Sequence, residues 1–227
     1  MRAKLGRGKA YISQTWGITE ASGVITALDW RRKDETWSVG ALCPNVTLRI
    51  VDDNNEDVAD PATQPGEFWI GGPILSQGYH NNTAATNETF IHGFYRTGDV
   101  GLYKDGLVYI SDRKKELIKY KGNQIAPAEL EGLLTSHPQI ADAGVVGVWQ
   151  AEQDTEVPRA YLVRKYEDHK QPLTAQAVLD FVKGNLAAYK QLRGGVVFVD
   201  EIPKSASGKI LRKELRLMAQ NPLKAKL

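Results

Sequence analysis

Apolar and polar positions follow two different rhythms along this chain. In the first half they alternate in short runs. Residues 45–51, NVTLRIV, alternate well enough for a strand, and residues 67–70 read as another. Residues 101–110 form a hairpin pattern, with Leu102 and Tyr103 facing Val108 and Tyr109 across an Asp105-Gly106 turn. Residues 10–13 fit a short strand, leading into a polar loop over 14–23 that carries Trp16, Thr19 and Glu20. Residues 29–38 are polar and read as exposed, and the acidic run 52–60 reads as a solvated turn. Thr83 reads as the cap of a short helix.

After residue 127 the spacing becomes helical. Pro127 suits a first helical turn, and Leu130, Leu133 and Leu134 then share a face. Strands are predicted over 140–149, 158–164 and 195–199. A helix is predicted over 174–185, capped by Thr174, with Ala177, Val178, Phe181 and Val182 inward. A last amphipathic helix over 209–218 places Leu211, Leu215 and Met218 together. The order helix, strand, strand, helix, strand, helix describes an α+β domain of ordinary size. The first half has little apolar helix on which its strands could lie, so its fold is expected to be incomplete.

Composition narrows the function classes. The 227 residues are 42% hydrophobic and 25% charged, and 29 basic residues nearly cancel 27 acidic ones, for a net charge of +2. That balance does not suggest a nucleic-acid binder, and no apolar run is long enough to span a bilayer. Cys43 is the one cysteine, so no internal disulfide forms, and its neighbourhood suggests a small buried space. His80, His92, His137 and His169 show no metal-ligand spacing.

The unusual chemistry lies in residues 95–131. Thr97-Gly98-Asp99 reads as a tight turn whose carboxylate could hold a ribose diol, or as a plain Asx-turn. Arg113 offers a planar fork to a phosphate or ribose, or pairs with Asp112. Lys119, Lys121, Gly122 and Gln124 make a lysine-flanked loop suited to anions, or a solvated charge run. Lys209 follows a Ser-Ala-Ser-Gly turn and is expected to open the last helix, where the helix dipole disfavours a cation unless an anion is in reach. The Ser207-Gly208-Lys209 triplet lacks Walker spacing.

Taken together these clusters resemble the adenylate-forming superfamily: acyl- and aryl-CoA synthetases, 4-coumarate–CoA ligase, beetle luciferase and peptide-synthetase adenylation domains. Residues 14–20, QTWGITE, resemble its aromatic-Gly-x-Thr-Glu motif, and residues 95–99, YRTGD, its Thr-Gly-Asp motif. Residues 112–119 with 122–131 resemble the hinge motif, in wording nearer the CoA-ligase and luciferase branch, and residues 203–209 resemble the C-terminal lysine motif. Gly78-Tyr79 with Ala85-Thr86 resembles the segment before the Thr-Gly-Asp motif.

The resemblance implies a ligase of a small carboxylic acid that uses ATP, CoA and Mg²⁺. It implies that Trp16 lies against adenine with Gly17 beside it, that Thr19 touches the AMP phosphate and that Glu20 holds Mg²⁺. It implies that Asp99 and Arg113 bind the ribose and that Lys209 serves adenylation. Lys115 would be the hinge bringing Lys119, Lys121, Gly122 and Gln124 to the thioester step. It implies a fold in which a β-rich remnant of a large N-terminal domain, with a small β-barrel-like part, precedes a complete small α+β domain. The corresponding boundaries are 1–113, 114–220 and a tail, 221–227.

Family members carry a phosphate-gripping loop and most of the acyl pocket upstream of these motifs. The chain starts just before the first motif, so it is expected to be unable to make acyl-AMP alone. A non-catalytic nucleotide-binding or regulatory remnant, and a luciferase-like or carrier-loading enzyme, are the alternatives. Ala225-Lys226-Leu227 resembles a peroxisomal targeting tripeptide, implying an import receptor as partner and the peroxisome, otherwise the cytoplasm, as location.

Overall fold

The computed structural model describes residues 13–29, 31, 34, 36–165 and 173–220. Residues 10–12 of the strand expected over 10–13, His169 and the tail with Ala225-Lys226-Leu227 lie outside the described residues, and Ser13 is not in a strand. The chain divides into two compact units, Met1–Lys114 and Lys115–Leu227.

In the first unit, β1 (Trp16–Ile18), β2 (Gly23–Ala27) and β3 (Ala41–Leu42) form a three-stranded antiparallel sheet. The polar loop predicted over 14–23 is therefore mostly a hairpin, closed by a 3₁₀ turn at Thr19–Ala21. A larger sheet follows, from β4 (Thr47–Val51), β5 (Gly66–Gly71), β6 (Phe90–Ile91), β7 (Phe94–Lys104) and β8 (Leu107–Arg113). Between β5 and β6 runs α1 (Thr83–Thr89), whose cap is Asn82, accepting from the Ala85 N–H, rather than Thr83. The β7–β8 hairpin keeps the predicted register, Leu102 opposite Tyr109 and Tyr103 opposite Val108. Phe68 and Ile70 face a core with Trp16, Ile25, Tyr95 and Val108, as the period-2 pattern requires.

The β-barrel-like part does not form. Among the described residues no sheet closes on itself: β4 pairs only with β5 at one end, and β6 and β8 both pair with β7 at the other. Closure needs a terminal strand with a free edge to receive its partner. The edge of β4 is instead covered by its own chain, which turns at Asp52 and returns so that Val58 N–H donates to the Ile50 carbonyl at 2.9 Å.

The second unit opens with a hairpin, β9 (Ile118–Tyr120) and β10 (Asn123–Ile125), then α2 (Pro127–Ser136). A three-stranded sheet of β11 (Ile140–Gln150), β12 (Thr155–Arg164) and β13 (Val196–Phe198) carries α3 (Ala175–Asn185) as the crossover into the parallel β12–β13 pair, and α4 (Arg212–Gln220) ends it. The predicted order of helices and strands is the observed one. Alternation along β11 serves both faces: Val145 joins Leu130, Leu134, Val178 and Val182, while Val146 joins Tyr161, Ile202 and Leu215. Two helices thus cover one face of the sheet and α4 the other. A Cβ on Gly144 would stand 2.7 Å from Leu215, so the glycine admits α4.

Three smaller expectations fail. Ala177 is exposed, because Val178 and Val182 alone fill the buried stripe of α3. Cys43 is half-buried. The last helix starts at Arg212, so Lys209 precedes it by three residues and meets no helix dipole.

Candidate functional site

In the first unit the side chains of Trp16, Asp99 and Arg113 meet. Asp99 sits on β7 opposite Arg113 on β8, beside a bulge between Val100 and Gly101. The Thr-Gly-Asp triplet is therefore part of a strand rather than a free turn, kinked by Gly98 at φ +70°. Thr97 fixes the kink: its hydroxyl donates to the Phe68 carbonyl at 2.7 Å and accepts the Asp99 N–H at 3.0 Å.

The carboxylate of Asp99 is gripped from both sides. Arg113 Nε donates to Oδ1 at 3.3 Å and Trp16 Nε1 donates to Oδ2 at 2.9 Å. Arg113 therefore pairs with Asp99, while Asp112 accepts the Arg113 backbone N–H. Burial pushes the Asp99 carboxyl above the ordinary aspartate value, and the donors Trp16 and Arg113 offset only part of that. Trp16 is 6% exposed, its ring tilted against Phe68 with centroids 5.4 Å apart.

Gly17 and Thr19 are exposed beside Trp16, and Glu20 is half-buried. Gly17 is needed for close approach, since a Cβ there would lie 2.1 Å from the Gly23 carbonyl oxygen. Tyr79 donates its hydroxyl to Glu20 Oε1 at 2.7 Å, and the Tyr95 hydroxyl lies 3.2 Å from that of Tyr79. Partial burial pushes the Glu20 carboxyl up, but the Tyr79 hydroxyl, its own backbone N–H, Tyr95 and the charge of Arg113 together hold it below the usual glutamate value. Tyr79 and Tyr95 were not legible as site residues. The sequence signals were their places in recognised segments, Tyr79 in the Gly78-Tyr79 pair and Tyr95 at the head of the YRTGD motif.

The second unit carries the lysines. Lys119 and Gln124 are direct cross-strand partners, so both project from one face of the β9–β10 hairpin, while Ile118, Tyr120 and Ile125 are buried on the other. Lys121 (φ +46°) and Gly122 (φ +80°) form a turn with both central residues left-handed. Thr155 braces the turn: its hydroxyl accepts the Lys121 N–H and donates to the Lys119 carbonyl, both at 2.9 Å. Glu156 accepts the Lys119 N–H at 2.9 Å.

Lys209 occupies a separate exposed loop pinned by Ser205. The Ser205 N–H donates to the Lys209 carbonyl at 2.8 Å, and the Ser205 hydroxyl accepts the Lys209 N–H at 3.2 Å. Flanking ion pairs, Lys204 with Asp142 and Arg212 with Glu131, tie the loop's base to the sheet and α2. The ammonium groups of Lys119 and Lys209 have no ion-pair partner among the described residues. Each is thus available to an anion.

The family described as AMP-binding enzyme matches residues 1–80, and the AMP-binding enzyme C-terminal domain matches residues 129–209. The phenylacetyl-CoA ligase epaB of Aspergillus niger is 47% identical over 210 residues, which are 91% of this chain and 38% of that protein. The o-succinylbenzoate CoA synthetase of Bacillus subtilis, solved with its acyl-adenylate intermediate, superposes with a TM-score of 0.79 at 33% identity, covering 89% of this chain and 40% of that one. ATP-bound MatB from Rhodopseudomonas palustris superposes with a TM-score of 0.82 at 27% identity, covering 92% and 40%. The chain belongs to the AMP-binding superfamily, in its acyl- and aryl-CoA ligase, 4-coumarate–CoA ligase-like branch. It spans 37% to 38% of the length of curated relatives such as that phenylacetyl-CoA ligase.

Proposed function

We propose that this chain supplies the nucleotide-side and lysine-bearing portion of an AMP-forming carboxylate–CoA ligase. In the first half-reaction a carboxylate oxygen attacks the α-phosphorus of ATP, and the bond to pyrophosphate breaks. In the second, the CoA thiolate attacks the acyl carbon and AMP leaves. The observation that carries the reading is the carboxylate of Asp99, buried and aligned by Trp16 and Arg113, within the same unit as the ionised Glu20.

Each oxygen of Asp99 keeps one acceptor position after its present bond, which suits the two hydroxyls of a ribose. Arg113 stands beside them, and Trp16 and Gly17 form the backing of the adenine side. Thr19 is exposed where a phosphate would be met. Glu20 fits a hard cation: it is ionised, and Oε2 is free of the Tyr79 bond. Mg²⁺ takes one or two carboxylates and completes its shell from water and phosphates. Bound there, it would neutralise phosphate charge.

Lys209 places a cation where charge builds on carboxylate and phosphate oxygens during adenylation. Lys119, with Gln124 beside it and Lys121-Gly122 at the tip, serves the thioester step. Lys115 is the pivot between these uses, and the residues on either side support that role. Lys114 is held in the first unit by Glu67 and Asp53, while Glu116 is held in the second by Arg216.

Two measurements test the proposal. The chain is expected to bind AMP by calorimetry, and Asp99→Ala is expected to abolish binding. No AMP binding by the unaltered chain would overturn the nucleotide reading and leave the alternative of a non-catalytic interaction module. ATP–pyrophosphate exchange is expected to be undetectable for this chain alone, and robust exchange would overturn its incompleteness.

A further inference from the structure

We infer that Trp16 is the positioning residue for Asp99, and that through it the site tells a ribose from a 2′-deoxyribose. The inference rests on the proposed nucleotide reading of the Asp99 site and goes beyond it, because a stacking surface for adenine would not require a hydrogen-bond donor.

Trp16 and Asp99 are both buried, and the indole N–H reaches Oδ2 at 2.9 Å. A buried indole N–H needs a partner, and here the partner is charged. The other donor to this carboxylate is Arg113, whose side chain is 51% exposed and whose bond is longer, 3.3 Å. A long exposed side chain loses much rotamer freedom when it is held, so Arg113 alone sets the carboxylate plane weakly.

Trp16 is anchored more firmly. Its ring lies on Phe68, and its backbone N–H donates to the Thr26 hydroxyl at 3.0 Å. Thr26 in turn donates to the Val39 carbonyl. Gly17 lets β1 close onto the Gly23 carbonyl, which fixes where the indole can be. The ring thus carries the rigidity of a hairpin into the orientation of a carboxylate on another sheet.

With its plane fixed, Asp99 offers one acceptor position on each oxygen, side by side. A vicinal diol fills both. A 2′-deoxyribose fills one and leaves the other unpaired. Without the indole N–H only Arg113 holds the carboxylate, its plane is set weakly, and the two-point match suffers while the one-point match survives.

The test is calorimetry of AMP and 2′-deoxy-AMP on the 227-residue chain and on two variants. The unaltered chain is expected to prefer AMP by at least about tenfold, the worth of one hydrogen bond to a charged acceptor. In Trp16→Phe, the smaller ring weakens the adenine contact of both nucleotides alike, and AMP affinity is expected to fall about tenfold further than 2′-deoxy-AMP affinity, so the preference collapses. Trp16→His restores a donor, because imidazole Nε2 falls at the ring position of indole Nε1, and part of the preference is expected to return.

A Trp16→Phe protein that melts like the unaltered chain and keeps the preference overturns the inference. So does a parallel loss of both affinities, the mark of a merely structural ring. If Trp16→Phe does not fold, Trp16→His decides alone: a retained preference supports the inference and a collapsed one overturns it. Binding of neither nucleotide by the unaltered chain fails the nucleotide reading itself, and the inference with it.

Discussion

At the scale of single residues, the hydrogen-bond partners matter more than the residue types. Glu20 is held ionised against its partial burial chiefly by the Tyr79 hydroxyl. Because its folded pKa lies below its unfolded one, Glu20 contributes stability that is present above the unfolded value of 4.5 and is lost as pH falls through the folded one. Tyr79→Phe removes the donor. It is expected to raise the Glu20 pKa, to cost about 1 kcal/mol at neutral pH, and to cost little once the carboxyl is protonated. Thermal unfolding followed from neutral to acid pH checks this, and a penalty that persists in acid would contradict it. Lys209 is exposed and pinned only through its backbone. Lys209→Ala is therefore expected to change stability by less than about 0.5 kcal/mol, measured by denaturant unfolding.

At the scale of elements, two hairpins set the candidate chemistry, the first through a close backbone approach and the second through a strained turn. In the β1–β2 hairpin Gly17 has no room for a side chain, so Gly17→Ala forces the strands apart. A cost of about 2–3 kcal/mol is expected, seen as a lowered unfolding midpoint together with weakened AMP binding, since Trp16 moves with its neighbour. In the β9–β10 hairpin Lys121 occupies a left-handed conformation that an ordinary side chain dislikes. Asparagine tolerates it and precedes glycine in the favoured version of this turn. Lys121→Asn is expected to stabilise the second unit by about 0.5–1 kcal/mol. If the lysine serves the thioester step, the stabler variant would bind CoA less well. Equal or lower stability would show that the turn is not strained.

At the scale of the whole chain, one hydrophobic cluster organises the first unit and two organise the second. The second unit has its own three-layer arrangement, with Leu130, Leu134, Val178 and Val182 on one face of its sheet and Leu215 on the other. A fragment spanning 115–227 is expected to unfold in one cooperative transition by both calorimetry and circular dichroism. Non-coincident transitions would mean that its core depends on the first unit. The first unit has a smaller proportion of helix and, among the described residues, sheets that remain open, in a chain spanning 37% to 38% of curated relatives it resembles.

Much of this was written in local pattern. The β7–β8 register followed from Asp105-Gly106 between alternating runs, and the element order after residue 127 followed from apolar spacing alone. Both depend on period and turn chemistry, which act between neighbours in sequence. The motifs also marked which side chains to watch, because glycines and charges placed where packing does not need them stand out. Three-dimensional contact decided the rest. That the β4 edge is capped by its own returning chain, that Lys209 stands before its helix, and that Trp16 spends its N–H on Asp99, 83 positions away, could not be read from spacing. Such partners are chosen by burial, where a polar group must find whatever donor or acceptor the fold brings within reach.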